Sequence, residues 1–244
     1  MFAKNLKYMN EKRKILNSKH QEANLQASIF YPENLKEKTP LVLVFPTWAG
    51  KDAFIEEKAK HLTRLGYIGV AVDMYGEGKT GSSKEENSSL MKPLIEDRLF
   101  LQQRAQAVLD SCLKLPEVHQ KKVAAIGFCF GGLCALDLAR SGASIKGVVS
   151  FHGSLKPSPS KEIQAKLLVL HGHDDPMVPP DQVFAFQKEM TEKKVDWQIH
   201  TYSNTMHAFT NPKANDPSFG TVYKETSCER SFTSMENFLQ EIFA

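Results

Sequence analysis

The chain has 244 residues, 41% of them hydrophobic and 24% charged, with 14 glycines and 12 prolines; this ordinary globular balance excludes disordered, collagen-like and coiled-coil proteins. Lys and Arg total 31 against 28 Asp and Glu, a net charge of +3, spread without an arginine-rich stripe, so no nucleic-acid partner is expected. The longest apolar stretch, Val123 to Ala139, is broken by glycines and by Asp137, so it is no membrane span and no membrane partner is expected.

Met1 to His20 is basic but lacks the apolar core of a secretory signal. The 4 cysteines, Cys112, Cys129, Cys134 and Cys228, show no CxxC spacing. Reduced thiols and a cytoplasmic location are therefore the expectation.

Residues 1–24 read as an N-terminal extension or edge strand of a single domain covering 1–244. Residues 41–45 (Leu-Val-Leu-Val-Phe) form a continuous apolar run closed by Pro46, as suits a strand covered on both faces of a parallel sheet. A helix is expected at 53–65 and a strand at 67–72. Residues 76–92 are Gly-, Ser-, Lys- and Glu-rich without a period and read as a loop, a candidate lid. Leu94, Leu101, Ala105, Val108 and Cys112 predict one helix over 93–115, stopped by Pro116.

Then follow a strand at 122–128, a helix at 130–141 ending near Gly142, a strand at 145–151 and a Ser/Pro/Lys loop at 155–163. A strand at 166–171, a helix at 180–193, a strand at 195–202 and a closing helix at about 220–243 complete the chain. This alternation predicts an α/β fold: a mostly parallel central sheet with helices on both faces. Ligands in such sheets bind beyond the carboxyl ends of the strands, so reactive residues are sought just after strands.

The strongest signal is Gly127-Phe128-Cys129-Phe130-Gly131-Gly132. It closes an apolar strand and opens an apolar helix, the pattern of a nucleophile elbow with Cys at the reactive position. The sharp turn strains the nucleophile's backbone, and small flanking residues avoid clashes between the crossing segments. The helix N-terminus also favours thiolate over thiol.

A Cys nucleophile needs a base and a group that orients it. Asp175 follows strand 166–171 within His171-Gly172-His173-Asp174-Asp175-Pro176. His207 follows strand 195–202 within Asn204-Thr205-Met206-His207-Ala208-Phe209. Nucleophile, acid and histidine thus come in the chain order that this topology requires. Asp174 competes with Asp175, which is preferred for its place beside the rigid Pro176 turn. An oxyanion hole is expected from the backbone N–H groups of Phe130 and Trp48, the latter in Pro46-Thr47-Trp48-Ala49-Gly50.

Together with Asp73-Met74-Tyr75-Gly76, Phe151-His152-Gly153, Asp175-Pro176-Met177-Val178-Pro179 and His207-Ala208-Phe209, these motifs resemble the dienelactone hydrolase (carboxymethylenebutenolidase-like) family from about residue 25 onward. The resemblance implies an α/β-hydrolase fold and a Cys129-Asp175-His207 triad. It implies no cofactor and hydrolysis of a small ester, lactone or thioester through a thioacyl-enzyme. Thr47, Tyr75, His152 and Phe209 are the pocket residues it suggests. The family often has a Glu where Thr47 stands, to handle the resting thiol proton. It also uses arginines to hold a substrate carboxylate, where this chain has Asn211. An uncharged substrate therefore fits better than dienelactone. The small molecule is the expected partner, in a monomer or weak homodimer.

Two other readings stand beside it. His171, His173 and Asp175 partly match a zinc-binding cluster of metallohydrolases. Alternatively, the scaffold binds a ligand or senses redox state through Cys129 without turnover.

Overall fold

The computed structural model describes residues 13–244. The readings made for Met1 to Lys12 fall outside the described residues. An N-terminal hairpin, β1 (Arg13–His20) and β2 (Ala23–Phe30), precedes β3 (Thr39–Phe45), helix α1 (Ala53–Arg64) and β4 (Ile68–Ala71). Next come α2 (Lys84–Glu96), α3 (Arg98–Leu113), β5 (Val118–Phe128), α4 (Phe130–Arg140), β6 (Gly147–Phe151) and β7 (Lys166–Gly172). The chain closes with α5 (Pro180–Glu192), β8 (Trp197–Tyr202), a short ribbon of β9 (Asn215–Asp216) and β10 (Thr221–Val222), and α6 (Glu225–Phe243).

The main sheet has 8 strands in the order β1-β2-β4-β3-β5-β6-β7-β8. β1 and β2 pair antiparallel with each other, and β2 antiparallel with β4. From β4 onward the pairings are parallel. Among the described residues, β1 forms one edge of the sheet, with β2 beside it. This is the mostly parallel, two-faced sheet of the α/β-hydrolase fold.

Strands β3, β4, β6 and β7, and β5 from Val123 onward, are almost wholly buried, which accounts for their largely apolar sequence. Alternate residues feed two cores. Leu41, Leu43 and Val70 pack with Ala105, Cys134 and Phe186 on one side. Val42, Val44 and Ala71 pack with Ile55, Met235 and Leu239 on the other. Every residue of α4 is buried, as its mostly apolar sequence requires, with Asp137 and Arg140 paired in ion contacts.

The segment 76–92, read as loop, is loop only to Ser83. Ser83 Oγ accepts from the Glu86 N–H at 3.1 Å, and Glu86 reaches back to the Ser82 N–H at 2.8 Å. This reciprocal cap starts α2, which buries only Asn87 and Leu94. The single helix expected over 93–115 is likewise divided. Asp97 is extended (φ −117°, ψ 90°), ends α2 and caps α3 through the Phe100 N–H at 2.9 Å. Among the described residues, no helix is long and apolar enough to cross a membrane.

Candidate active site

Cys129 stands between β5 and α4 at φ 56° and ψ −116°, a conformation that costs a non-glycine residue strain. Its neighbours show why the elbow needs glycine. A Cβ on Gly127 would overlap the Gly131 carbonyl, and one on Gly131 would overlap the Phe45 carbonyl. The Cys129 N–H is shared between the Phe151 carbonyl at 3.0 Å and His152 Nδ1 at 3.1 Å.

The other two members of the proposed set converge on it from β7 and β8. Asp175 is buried; its Oδ1 accepts from the Met177 N–H at 2.8 Å and its Oδ2 lies 2.7 Å from His207 Nδ1. Asp174 is exposed on the same turn. The carboxylate fixes the His207 tautomer with a proton on Nδ1. The opposite nitrogen, Nε2, is buried, and His207 interacts with the Cys129 thiol. The loop carrying His207 is braced by the ribbon: the His207 N–H donates to the Gly220 carbonyl, and its carbonyl accepts from the Val222 N–H, both at 3.0 Å.

Thiol and imidazole shift in complementary directions. Burial pushes the Cys129 thiol up. The His207 charge and hydrogen bond, with the Phe130 N–H, overcome that and bring it below the ordinary thiol value. Burial likewise opposes a charged His207. The Cys129 thiolate and the Asp175 carboxylate outweigh it and raise the imidazole to about 10. Each group thus favours the charged form of the other, and the two titrations are coupled. By contrast, burial pushes Cys112 up to about 12 and Cys134 well above the ordinary value; both are inert core thiols.

The expected oxyanion donors lie on either side. Phe130 opens α4. Trp48 lies in the turn after β3, in which the Thr47 carbonyl accepts from the Gly50 N–H at 3.0 Å and Thr47 Oγ1 from the Ala49 N–H at 3.3 Å. Tyr75 joins the two. Its hydroxyl donates to the Trp48 carbonyl at 2.8 Å, and its ring stacks on Phe130 with centroids 6.1 Å apart. Asp73, fully buried, shapes the loop beneath by accepting from the N–H groups of Gln26, Tyr75, Gly76 and Gly78.

A cavity of about 480 Å³ opens over Cys129 and His207. Thr47 lines it, along with Trp48, Phe54, Met91, Met177 and Phe219. Trp48 and Phe219 stack across it with centroids 5.8 Å apart. Two of the expected pocket residues sit elsewhere. Tyr75 is behind the oxyanion turn, held there by the Trp48 carbonyl. Phe209 is fully buried in the core, edge-on to His152 and Tyr202. His152 borders the cavity but is 2% exposed.

Sequence reasoning missed Met91, Lys84, Lys213 and Phe219, which also line the cavity. No motif marks them; only the fold brings α2 and the β9–β10 ribbon over the elbow. Lys84 Nζ reaches Asp216 at 2.8 Å and lies 4.3 Å from the Phe219 ring centroid. The metal reading finds no support in the geometry. The Asp175 carboxylate is committed to His207 and Met177. Among the described residues, no group of three or more His, Cys, Asp or Glu side chains is arranged to hold a metal ion.

The profile of the Dienelactone hydrolase family matches residues 25–243. An uncharacterized protein of Caenorhabditis elegans is 35% identical over 59% of this chain and 95% of its own length. A carboxymethylenebutenolidase homolog of Xenopus tropicalis is 25% identical over 64% of this chain and 63% of its own. Among solved structures, a dienelactone hydrolase-like promiscuous phosphotriesterase, P91, from metagenomic libraries superposes with a TM-score of 0.91 at 36% identity. That match covers 96% of this chain and 99% of P91. Dienelactone hydrolase from Anabaena variabilis, at 19% identity and a TM-score of 0.66 over 96% of this chain and 98% of its own, shares the fold. The chain therefore belongs to the dienelactone hydrolase family, hydrolases of esters and lactones built on the α/β-hydrolase fold.

Proposed function

We propose that the protein hydrolyses a small, largely apolar ester, lactone or thioester through Cys129, His207 and Asp175. The observation that carries this reading is the buried His207, bonded to Asp175 through Nδ1 at 2.7 Å and coupled to Cys129, each favouring the charged form of the other. The Cys129 thiolate attacks the carbonyl carbon, and the new oxyanion is held by the Phe130 and Trp48 N–H groups. His207, holding the former thiol proton, gives it to the departing alkoxide as the C–O bond breaks. The thioacyl-enzyme remains. Neutral His207 then takes a proton from water, hydroxide adds to the thioester, and the carboxylic acid leaves as the thiolate is restored. Asp175 keeps the ring oriented and supports its charge.

Thr47 cannot take a proton as a glutamate would, so His207 alone stores the thiol proton at rest. The apolar cavity wall, formed by Trp48, Phe54, Met91 and Phe219, supports an apolar acyl or alcohol group. Hydrolysis of short nitrophenyl esters tests the reading. Cys129→Ala should lower kcat by at least about a thousandfold, as loss of a nucleophile does. Undiminished hydrolysis by that variant would remove Cys129 from the reaction. A stable adduct on Cys129 with no turnover on any ester would favour the binding or redox-sensing reading.

A second reaction is favoured by the extended likeness to P91. The same thiolate can form an S–P bond to a neutral phosphotriester, expel its aryloxide with the His207 proton, and be freed by water. Turnover of paraoxon that is lost with Cys129→Ala supports this; paraoxon that only inactivates the enzyme opposes it.

A further inference from the structure

Resting on Cys129 as the nucleophile, we propose that His152 is a positioning residue. It is a neutral imidazole that ties the backbone of the elbow to the loop carrying His207, and so sets the sulfur-to-imidazole register. His152 directly follows β6, is 2% exposed and holds a positive φ of 39°. Such a backbone angle is uncommon in a residue with a Cβ and is kept only where the surroundings demand it.

Both ring nitrogens are engaged. Nδ1 accepts from the Cys129 N–H at 3.1 Å. That leaves the proton on Nε2, which donates to Thr210 Oγ1 at 2.8 Å. Thr210 is fully buried and belongs to the same loop as His207. One flat ring thus spans from the strand-to-helix turn after β5 to the loop after β8. Its centroid lies 5.0 Å from that of His207 and 5.1 Å from that of Phe209, both edge-on.

This bracket works only while His152 is neutral. A proton on Nδ1 would set two N–H donors against each other at Cys129. It would also place a second cation beside the His207 imidazolium. The ionisable groups facing the ring are His207 from its loop, Cys129 from the elbow and Lys58 from α1. Burial first, then the positive charges of His207 and Lys58, hold His152 well below its ordinary value. With so little of the ring exposed, it acts through Cys129 and not by touching substrate.

The test uses the full chain and three variants, His152→Phe, His152→Asn and Thr210→Val. Each is assayed for kcat and KM on a nitrophenyl ester and for Cys129 alkylation by iodoacetamide across pH. A misplaced nucleophile–base pair typically costs up to about a hundredfold. His152→Phe should lower kcat about 10- to 100-fold with KM within about twofold, and move the thiol titration upward. His152→Asn, whose Oδ1 can still accept the Cys129 N–H, should recover part of both. Thr210→Val should shift both the same way, by less.

A His152→Phe variant with wild-type kcat and alkylation profile would overturn the proposal. So would a loss confined to KM, or equal losses in Phe and Asn variants with the alkylation profile unmoved. If His152→Phe fails to fold by circular dichroism, Thr210→Val decides, and wild-type behaviour there overturns it. Undiminished hydrolysis by Cys129→Ala would mark failure of the nucleophile assignment instead, while the alkylation profiles still report the His152–Cys129 link.

Discussion

At Cys129, φ 56° and ψ −116° set stability against reactivity. The strained turn places Cys129 between β5 and α4, where its thiol interacts with His207. Glycine adopts such angles freely, so Cys129→Gly should melt above Cys129→Ala although neither is active. The difference reads the backbone strain, about 1–2 kcal/mol, or roughly 2–8 °C for a chain this size. Equal melting temperatures would mean that the elbow is unstrained.

The proposed thiolate–imidazolium pair makes a second residue-scale prediction. The Cys129 thiol lies below its ordinary value and His207 above, at about 10. Hydrolysis should fall as pH drops and the thiolate takes a proton. It should fall again as pH rises through about 10, where His207 loses the proton it owes the leaving group. At about pH 7, iodoacetamide should label Cys129 well before Cys228, whose thiol is pushed up by burial. His207→Ala should abolish that preference; its persistence would contradict the pair. Tyr75→Phe frees the Trp48 carbonyl, and kcat should fall about 3- to 10-fold with KM little changed, a fraction of one oxyanion donor's worth.

At the scale of elements, two linkages hold the frame of the site. Asp137 on α4 is fully buried and takes a two-point bond from Arg98 of α3, at 2.6 and 2.7 Å. It also accepts from Ser158 at 2.7 Å, while Arg140 beside it pairs with Glu189 of α5 at 2.7 Å. Asp137→Asn leaves buried guanidinium charge poorly paired and should cost about 3–5 kcal/mol. A chemical melt measures it; a loss below ~1 kcal/mol would mean that the network relaxes. The second linkage is the Lys84–Asp216 contact between α2 and the ribbon, over the cavity mouth. It is exposed and contributes little to stability. Asp216→Asn should leave the melting temperature unchanged yet raise KM for bulky esters, by loosening the Met91 and Phe219 walls. An unchanged KM would show that α2 does not shape the pocket.

These elements also show what the sequence concealed. The strands and the elbow were legible because continuous burial and steric overlap at Gly127 and Gly131 leave few residue choices. The order of Cys129, Asp175 and His207 was legible because it follows the strand ends. Helix α2 was hidden because it buries only Asn87 and Leu94, which leaves no apolar stripe; its Ser83–Glu86 cap was the overlooked signal. The break at Asp97 was hidden because Leu94 and Leu101 keep a helical phase across it. Tyr75 and Phe209 were assigned to the pocket through the motifs of the family resemblance, each of which follows a strand. Proximity to strand ends does not tell whether a ring faces the cavity or braces the backbone behind it.

Across the whole molecule, the candidate site lies at the carboxyl ends of the parallel strands. The turns after β3, β5, β6, β7 and β8 bring Trp48, Cys129, His152, Asp175 and His207 together from distant parts of the chain. The rigid parallel core fixes their spacing, while α2 and the ribbon cover the opening. The most direct measurement is a rapid-quench mass spectrum during turnover of a nitrophenyl ester, with the labelled peptide sequenced. The expected result is an acyl group on the peptide carrying Cys129, appearing before product and absent in Cys129→Ala. Turnover with the acyl group on another side chain, or with no acyl-enzyme at any quench time while Cys129→Ala retains activity, would contradict it.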